Sequence, residues 1–273
     1  MTTRGNGQGP IVAGDADYEL LLELLGDVVG GFRWLCHSYC LMPNHYHLVV
    51  ETPEPNLSRG MRQLNGIYAQ TFNRRHGRVG HLFGGRFKAI LVQQESYLLN
   101  LCAYVVRNPL RWRPPLATLD DYRWSSYRAL AGRAPAPSWL TTAWVLAQFG
   151  RRRREAQRRY TEFVAEAIGD SPWNDLKGGL YLGSDDFARA HAVDDDLEAE
   201  IPFAHRQPVR RTLSDIFETE GAQALLVAHR DHGYHLRELA AFCGVHYSTI
   251  SRRISRLLAP PTPDVAVQDL TPG

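Results

Sequence analysis

Met42-Pro43-Asn44-His45-Tyr46-His47-Leu48-Val49-Val50 opens with turn residues and continues as an apolar, β-branched run. Proline followed by asparagine marks a turn. The run from His45 to Glu51 then predicts a strand. In a strand alternate side chains share a face, and i to i+2 spans roughly 7 Å of backbone. His45 and His47 therefore emerge on one face, and Tyr46 on the other. Two imidazoles so placed can converge on one metal ion. Neutral imidazole is a common ligand, and carboxylate, amide or water oxygens can complete a Mg²⁺ or Mn²⁺ site. Taken alone, two neighbouring histidines are more often ordinary surface or core residues than ligands.

On the N-terminal side, Trp34 to Tyr39 predicts a strand able to pair with His45–Glu51 as a hairpin. Asp17 to Phe32 predicts an amphipathic helix, with Tyr18, Leu21, Leu22 and Leu25 at helical spacing. On the C-terminal side, Thr52 to Asn56 is a loop, and Leu57 to Arg75 predicts a helix carrying Met61, Leu64, Ile67, Tyr68 and Phe72. Gly77 to Gly85 is a glycine-rich loop, and Phe87 to Val92 predicts a third strand. Ser96 is placed as N-cap of a helix from Tyr97 to about Asn108, stopped by Pro109. Interleaved strands and helices indicate an α+β layer fold.

Tyr104 and Asn108 stand at i and i+4 of that helix and so share a face. A tyrosine can attack a phosphodiester, but its pKa of about 10 means that it needs help. A metal ion gives such help by drawing charge onto a non-bridging phosphate oxygen. Asn108 can add an oxygen ligand from the same helix. Tyr97, seven residues earlier on that face, is the rival nucleophile, but Leu101 stands where an oxygen ligand would be needed.

The chain has 273 residues, a formal charge of +2 and 44% apolar residues, enough for one large or two modest domains. Its apolar runs are too short to span a bilayer, and its N-terminus lacks a secretion pattern. A cytoplasmic, nucleoid-associated protein is expected. Cys36, Cys40, Cys102 and Cys243 form no disulfide framework and are expected to be buried small hydrophobes. A zinc site at Cys36 and Cys40 is the competing idea. Between Ser58 and Arg128 twelve Lys or Arg face three acids, an excess of nine positive charges. Such a field suits a polyanion. Arg62, Arg74, Arg75, Arg78, Arg86 and Lys88 are the candidate DNA contacts there. A merely solvated surface is the alternative.

Together these residues resemble one family, the IS200-like single-tyrosine transposases, and most closely the branch associated with repetitive extragenic palindromes. The resemblance rests on four ordered motifs: Met42 to Leu48, Gly80-His81-Leu82-Phe83-Gly84-Gly85-Arg86-Phe87-Lys88, Tyr97 to Pro109, and Tyr122-Arg123-Trp124-Ser125-Ser126-Tyr127. It runs from about residue 3 to residue 130. It implies a ferredoxin-like α/β sandwich with the histidines on a central strand. It further implies metal binding by His45, His47 and Asn108, and nucleophilic attack by Tyr104 on single-stranded or hairpin DNA through a 5′-phosphotyrosine link. Family members often act as dimers. They usually begin with a strand followed by an Arg-Gly-Asn turn. Here Arg4-Gly5-Asn6 comes almost at once after Met1, so that strand is expected to be missing or nearly so, whether through a start placed too late or a sheet that has lost a strand.

Beyond the catalytic domain (1–130), residues 131–208 are expected to be a helical connector with linkers at Gly132–Ser138 and His191–Pro208. Thr141 to Ile168 is expected to be helical, with Arg151-Arg152-Arg153-Arg154 inside it. The segment around Trp173-Asn174 and Gly179 to Phe187 resembles longer family members, without an assigned role. Residues 209–260 predict a helix-turn-helix, with Gly244 at the turn and Tyr247 to Ile254 as recognition helix. Ser248, Thr249, Arg252 and Arg253 are its candidate DNA contacts, and Ile250, Ile254 and Leu257 would face inward. This segment resembles the DNA-binding domain of the bacterial replication initiator DnaA; a plain helical packing domain is the alternative. Residues 261–273 are expected to be a flexible tail. Three activities compete: a nuclease and strand transferase, a DNA-binding regulator that has lost catalysis, and a metal-dependent hydrolase using water.

Overall fold

The computed structural model describes residues 1–111, 116, 118–167, 175–191, 211–232, 234 and 236–258. Trp173-Asn174, residues 192–208 of the expected linker and the tail 261–273 lie outside these residues. The chain divides into two compact units, Met1–Leu176 with Tyr181–Ser184, and Lys177–Leu180 with Asp185–Gly273.

In the first unit a three-stranded antiparallel sheet has the order β1 (Thr2–Arg4), β3 (His45–Glu51), β2 (Leu35–Met42). The Pro43-Asn44 turn sets the β2–β3 register, with Met42 opposite His45 and Cys40 opposite His47. A bulge between Cys36 and Ser38 lies near the hairpin's open end. β1 has only three residues, yet it pairs fully with the histidine strand: Thr2 opposite His47, Thr3 opposite Tyr46 and Arg4 opposite His45. The sheet has therefore kept a strand beside the histidines. On the other side of β1, Lys88 makes an isolated bridge to Thr2. The third strand expected over Phe87–Val92 shrinks to this bridge and to β4 (Leu91–Val92).

α1 (Asp15–Gly31) and α2 (Leu57–Arg75) pack together. Tyr46 is fully buried and donates through its hydroxyl to Asn65 Oδ1 on α2 at 2.5 Å, so this helix pair covers the Tyr46 face of the sheet. Asp17 is buried between the two helices. Its carboxylate accepts from the Ala13 amide, Arg75 and His76 at 2.8, 2.9 and 2.9 Å. Burial alone would raise its pKa, but these donors together hold it below the ordinary carboxylate value. Gly60 allows the indole of Trp34 against α2, since a Cβ there would lie 2.3 Å from Cζ2.

α3 (Gln94–Val106) covers the opposite face. Ser38 lies opposite Val49, which shares its face with His45 and His47, and the Ser38 hydroxyl reaches the Cys102 carbonyl of α3 at 3.4 Å. The helix begins before the expected N-cap, so Ser96 is inside it, and Asn108 falls in a 3₁₀ turn, Asn108–Arg111, beyond its end. The Tyr122–Tyr127 motif closes the β2 edge. Tyr122 donates to the Leu41 carbonyl at 2.5 Å, Trp124 stacks on Tyr18 at 4.4 Å, and Ser126 Oγ accepts from the Tyr39 amide at 3.1 Å.

The boundary expected at residue 130 falls inside this unit. α4 (Tyr127–Leu130), α5 (Thr142–Ala147) and α6 (Arg153–Glu166) bury Leu130, Val145, Tyr160 and Val164 in the same core. The long helix expected over 141–168 is broken at Gly150, whose φ of 144° suits only glycine. Arg151 and Arg152 consequently precede α6 rather than riding on it. Cys36, Cys40 and Cys102 are free and fully buried, with the Cys36 thiol pushed up to about 12 by burial. Among the described residues no cluster of three His, Cys, Asp or Glu is placed to hold a metal. No described helix is long and apolar enough to cross a membrane.

β5 (Leu176–Lys177), β6 (Tyr181–Leu182) and α7 (Asp185–Ala190) follow. The second unit is completed by α8 (Leu213–Thr219), the short α9 (Ala224–Leu226), a π-helical turn at Val227–Asp231, α10 (Leu236–Cys243) and α11 (Tyr247–Leu258). Thr212 caps α8 by accepting from the Asp215 amide. Gly244, at φ 64°, turns the chain between α10 and α11. Ile216, Ala228, Leu239, Ile250 and Ile254 form a separate core.

Candidate active site

The strand period puts His45 and His47 side by side on the α3 face, with ring centroids 4.9 Å apart and the rings nearly perpendicular. Both are partly covered. Burial, reinforced by the charge of Arg4, lowers the pKa of His45 to about 4. Burial, then His45, then the N-terminal amine and more weakly Arg4 and Arg111, lowers that of His47 to about 3. Both rings are thus neutral at pH 7, the form that donates a lone pair to a metal. His45 Nδ1 and Asn44 Oδ1 are 2.7 Å apart; with the oxygen accepting, Nδ1 carries the proton and Nε2 is the ligating nitrogen. This donor set fits a divalent cation that also accepts oxygen ligands.

Tyr104 sits in the last turns of α3, half-buried. Asn108 folds back on that helix end, its Nδ2 donating to the carbonyls of Tyr104 and Val105, each at 3.1 Å. The amide nitrogen is thereby spent as a C-terminal cap, and the oxygen is the atom left to offer a cation. Arg111 lies over the Tyr104 ring, its Cζ 4.1 Å from the centroid. Tyr97 is on the same helix two turns earlier, nearer the N-terminal end.

That end of α3 is held by a segment to which the sequence assigned no role. Tyr181–Leu182 pairs in parallel with Leu91–Val92. The Gln93 amide donates to the Leu182 carbonyl at 2.9 Å, and Gln93 Oε1 accepts from the Ser184 amide at 2.8 Å. No local pattern announces this pairing, because its partners are about ninety residues apart. Arg111 was also missed as a site residue. It lies in the 3₁₀ turn beyond α3, where α-helical spacing gives no signal.

The expected DNA contacts divide. Arg62, Arg74, Arg86 and Lys88 are exposed. Arg78 is exposed as well, lies near the Phe72 ring and donates to the Pro10 carbonyl at 3.4 Å. Arg75 is committed to Asp17 and the Ala16 carbonyl, so it ties α1 to α2 rather than waiting for a phosphate. In the second unit Arg252 and Arg253 are exposed on α11, while Ile250 and Ile254 are buried. Ser248 is engaged with His246 at 2.9 Å, and the Thr249 amide donates to the His246 carbonyl at 2.9 Å, so both belong to the start of the helix. In α6, Arg158 and Arg159 pair with Glu162 and Glu155, which cancels much of the basic run they extend.

Residues 9–108 match the family described as Transposase IS200 like. The chain is also similar to the solved structure of a REP-associated tyrosine transposase bound to a REP hairpin, with a TM-score of 0.39 and 16% identity, over 50% of this chain and 79% of that one. No curated protein matches.

Proposed function

We propose that this protein is a divalent-metal-dependent, single-strand-specific DNA endonuclease and transposase that cuts with Tyr104. The observation that carries this reading is the pair of neutral imidazoles, 4.9 Å apart, on the sheet face packed by the tyrosine helix. The match of residues 9–108 to the IS200-like transposases supports it. So does the strand order β1–β3–β2 with Lys88 beside β1, which fits a ferredoxin-like sandwich.

His45, His47 and the Asn108 oxygen would hold Mg²⁺ or Mn²⁺, whose role when bound is to polarise a non-bridging phosphate oxygen. Tyr104 Oη attacks phosphorus and forms the new P–O bond, while the P–O3′ bond breaks. The phenolic proton passes to solvent, and the departing 3′ oxygen takes one up to become a 3′-hydroxyl. The 5′-phosphate stays on the tyrosine, so the energy of the cut bond is kept for rejoining. Single-stranded or hairpin DNA is the substrate class, and α11 of the second unit reads duplex DNA as a recognition helix. A dimer is the proposed assembly.

The test is incubation of the full chain with labelled hairpin DNA from its gene's flanks and Mg²⁺ or Mn²⁺, followed by denaturing electrophoresis. A protein–DNA adduct, lost in Tyr104→Phe and in His45→Ala, is expected. Cleavage that survives Tyr104→Phe without an adduct would assign the reaction to water, and binding without cleavage would leave a regulator.

A further inference from the structure

The active-site face carries two arginines to which the proposed reaction gives no task. Arg4 lies opposite His45 in the β1–β3 register, and directly opposed residues of an antiparallel pair share a face. Arg111 lies over the Tyr104 ring, its Cζ 4.1 Å from the centroid. Both side chains are exposed. The two guanidinium groups come from different elements, Arg4 from the edge strand and Arg111 from the turn after α3.

We propose that Arg111, with Arg4 as its counterpart across the histidine pair, is the clamp that holds the scissile phosphodiester against Tyr104. A guanidinium is the side chain suited to this place. Its face can rest on an aromatic ring while the N–H groups along its edge remain available for the paired oxygens of a phosphate. The same stacking holds the Tyr104 ring in place, so one residue positions both the nucleophile and its target. Two exposed positive charges beside Tyr104 and the histidine strand also attract an incoming phosphate before any cation is bound. This inference rests on the proposed nucleophilic role of Tyr104.

A cycle between protein and DNA tests it. The cleavage position is first mapped with the wild-type adduct. Binding is then measured in chelator, where nothing turns over, for a hairpin with the natural phosphodiester and one with a neutral methylphosphonate at that linkage. Wild-type protein should lose about tenfold in affinity on neutralisation, the size of a hydrogen bond to a charged group. Arg111→Gln should lose a similar factor for the natural DNA and show no further loss with the methylphosphonate. Adduct formation by Arg111→Gln at saturating DNA should fall by about tenfold or more, with partial recovery in Arg111→Lys, whereas a purely structural role would leave the methylphosphonate penalty intact. Arg4→Gln should show a smaller loss of the same kind. Equal methylphosphonate penalties in wild type, Arg111→Gln and Arg4→Gln overturn the clamp and leave the tyrosine mechanism standing. A wild-type protein that forms no adduct removes the tyrosine reading, and the clamp with it.

Discussion

Asn108 turns back on Tyr104: its side-chain nitrogen donates to the Tyr104 carbonyl at 3.1 Å. Its nitrogen thus caps the helix that carries Tyr104, and its oxygen is the atom that would serve the proposed cation. Substitution can separate them. Asn108→Asp keeps an oxygen ligand and loses the donor, so stability should fall by about 1 kcal/mol while metal binding persists. Asn108→Ala should lose both. Urea denaturation and calorimetric titration with Mn²⁺ report the two properties; unchanged metal binding in Asn108→Ala would count against the ligand role.

Acid should destabilise the metal-free protein through the histidine pair. The folded values, about 4 for His45 and about 3 for His47, lie below the unfolded value of about 6.5. Between these limits the unfolded chain binds more protons, so stability is full above pH ~6.5 and declines as pH falls toward 3. Thermal melts of wild type and of His45→Gln/His47→Gln across this range should show a weaker acid dependence in the double variant. Parallel pH profiles would contradict the assignment.

Metal affinity should follow the same values. Ligands already neutral release no protons on binding, so Mn²⁺ affinity should be flat from pH 8 to about 5 and fall only below that. A midpoint near 6.5 in the titration would mean that the rings are not shielded as described.

Asp17→Ala should cost about 3 kcal/mol, because it leaves Arg75, His76 and the Ala13 amide without the buried carboxylate that joins α1 to α2. Chemical denaturation measures it, and a loss below 1 kcal/mol would show that the cluster is dispensable.

Gly60→Ala should destabilise by about 2 kcal/mol, since the new methyl would meet the Trp34 ring, which is buried and hydrogen-bonded to Asn56 at 2.7 Å. Tryptophan fluorescence should shift with it. An unchanged melting temperature would refute the close approach.

Arg252→Ala with Arg253→Ala should leave the fold intact, both side chains being exposed on α11, and weaken duplex binding. The slope of log affinity against log salt should drop by about 0.9 for each phosphate that the variant no longer neutralises. An unchanged slope would make α11 a packing helix.

Much of the candidate site's local geometry was legible because its logic is local. A strand's two-residue period is sufficient to bring His45 and His47 together, Pro43-Asn44 announces the hairpin, and the spacing of Ile250 and Ile254 orients α11. Such patterns are written in consecutive residues, so the chain states them before it folds. The tertiary structure decided what depends on distant partners. Three residues are too few to show a period, so β1 became visible only through its register with β3. Arg75 is indistinguishable from Arg74 in sequence, and the buried carboxylate of Asp17, fifty-eight residues away, makes it structural. Arg111 stacks on Tyr104 only because the chain tightens into a 3₁₀ turn after α3, and the histidines are neutral because packing has removed water from around them. Hydration and long-range contact are properties of the folded chain, and the chemistry proposed for Tyr104 depends on both.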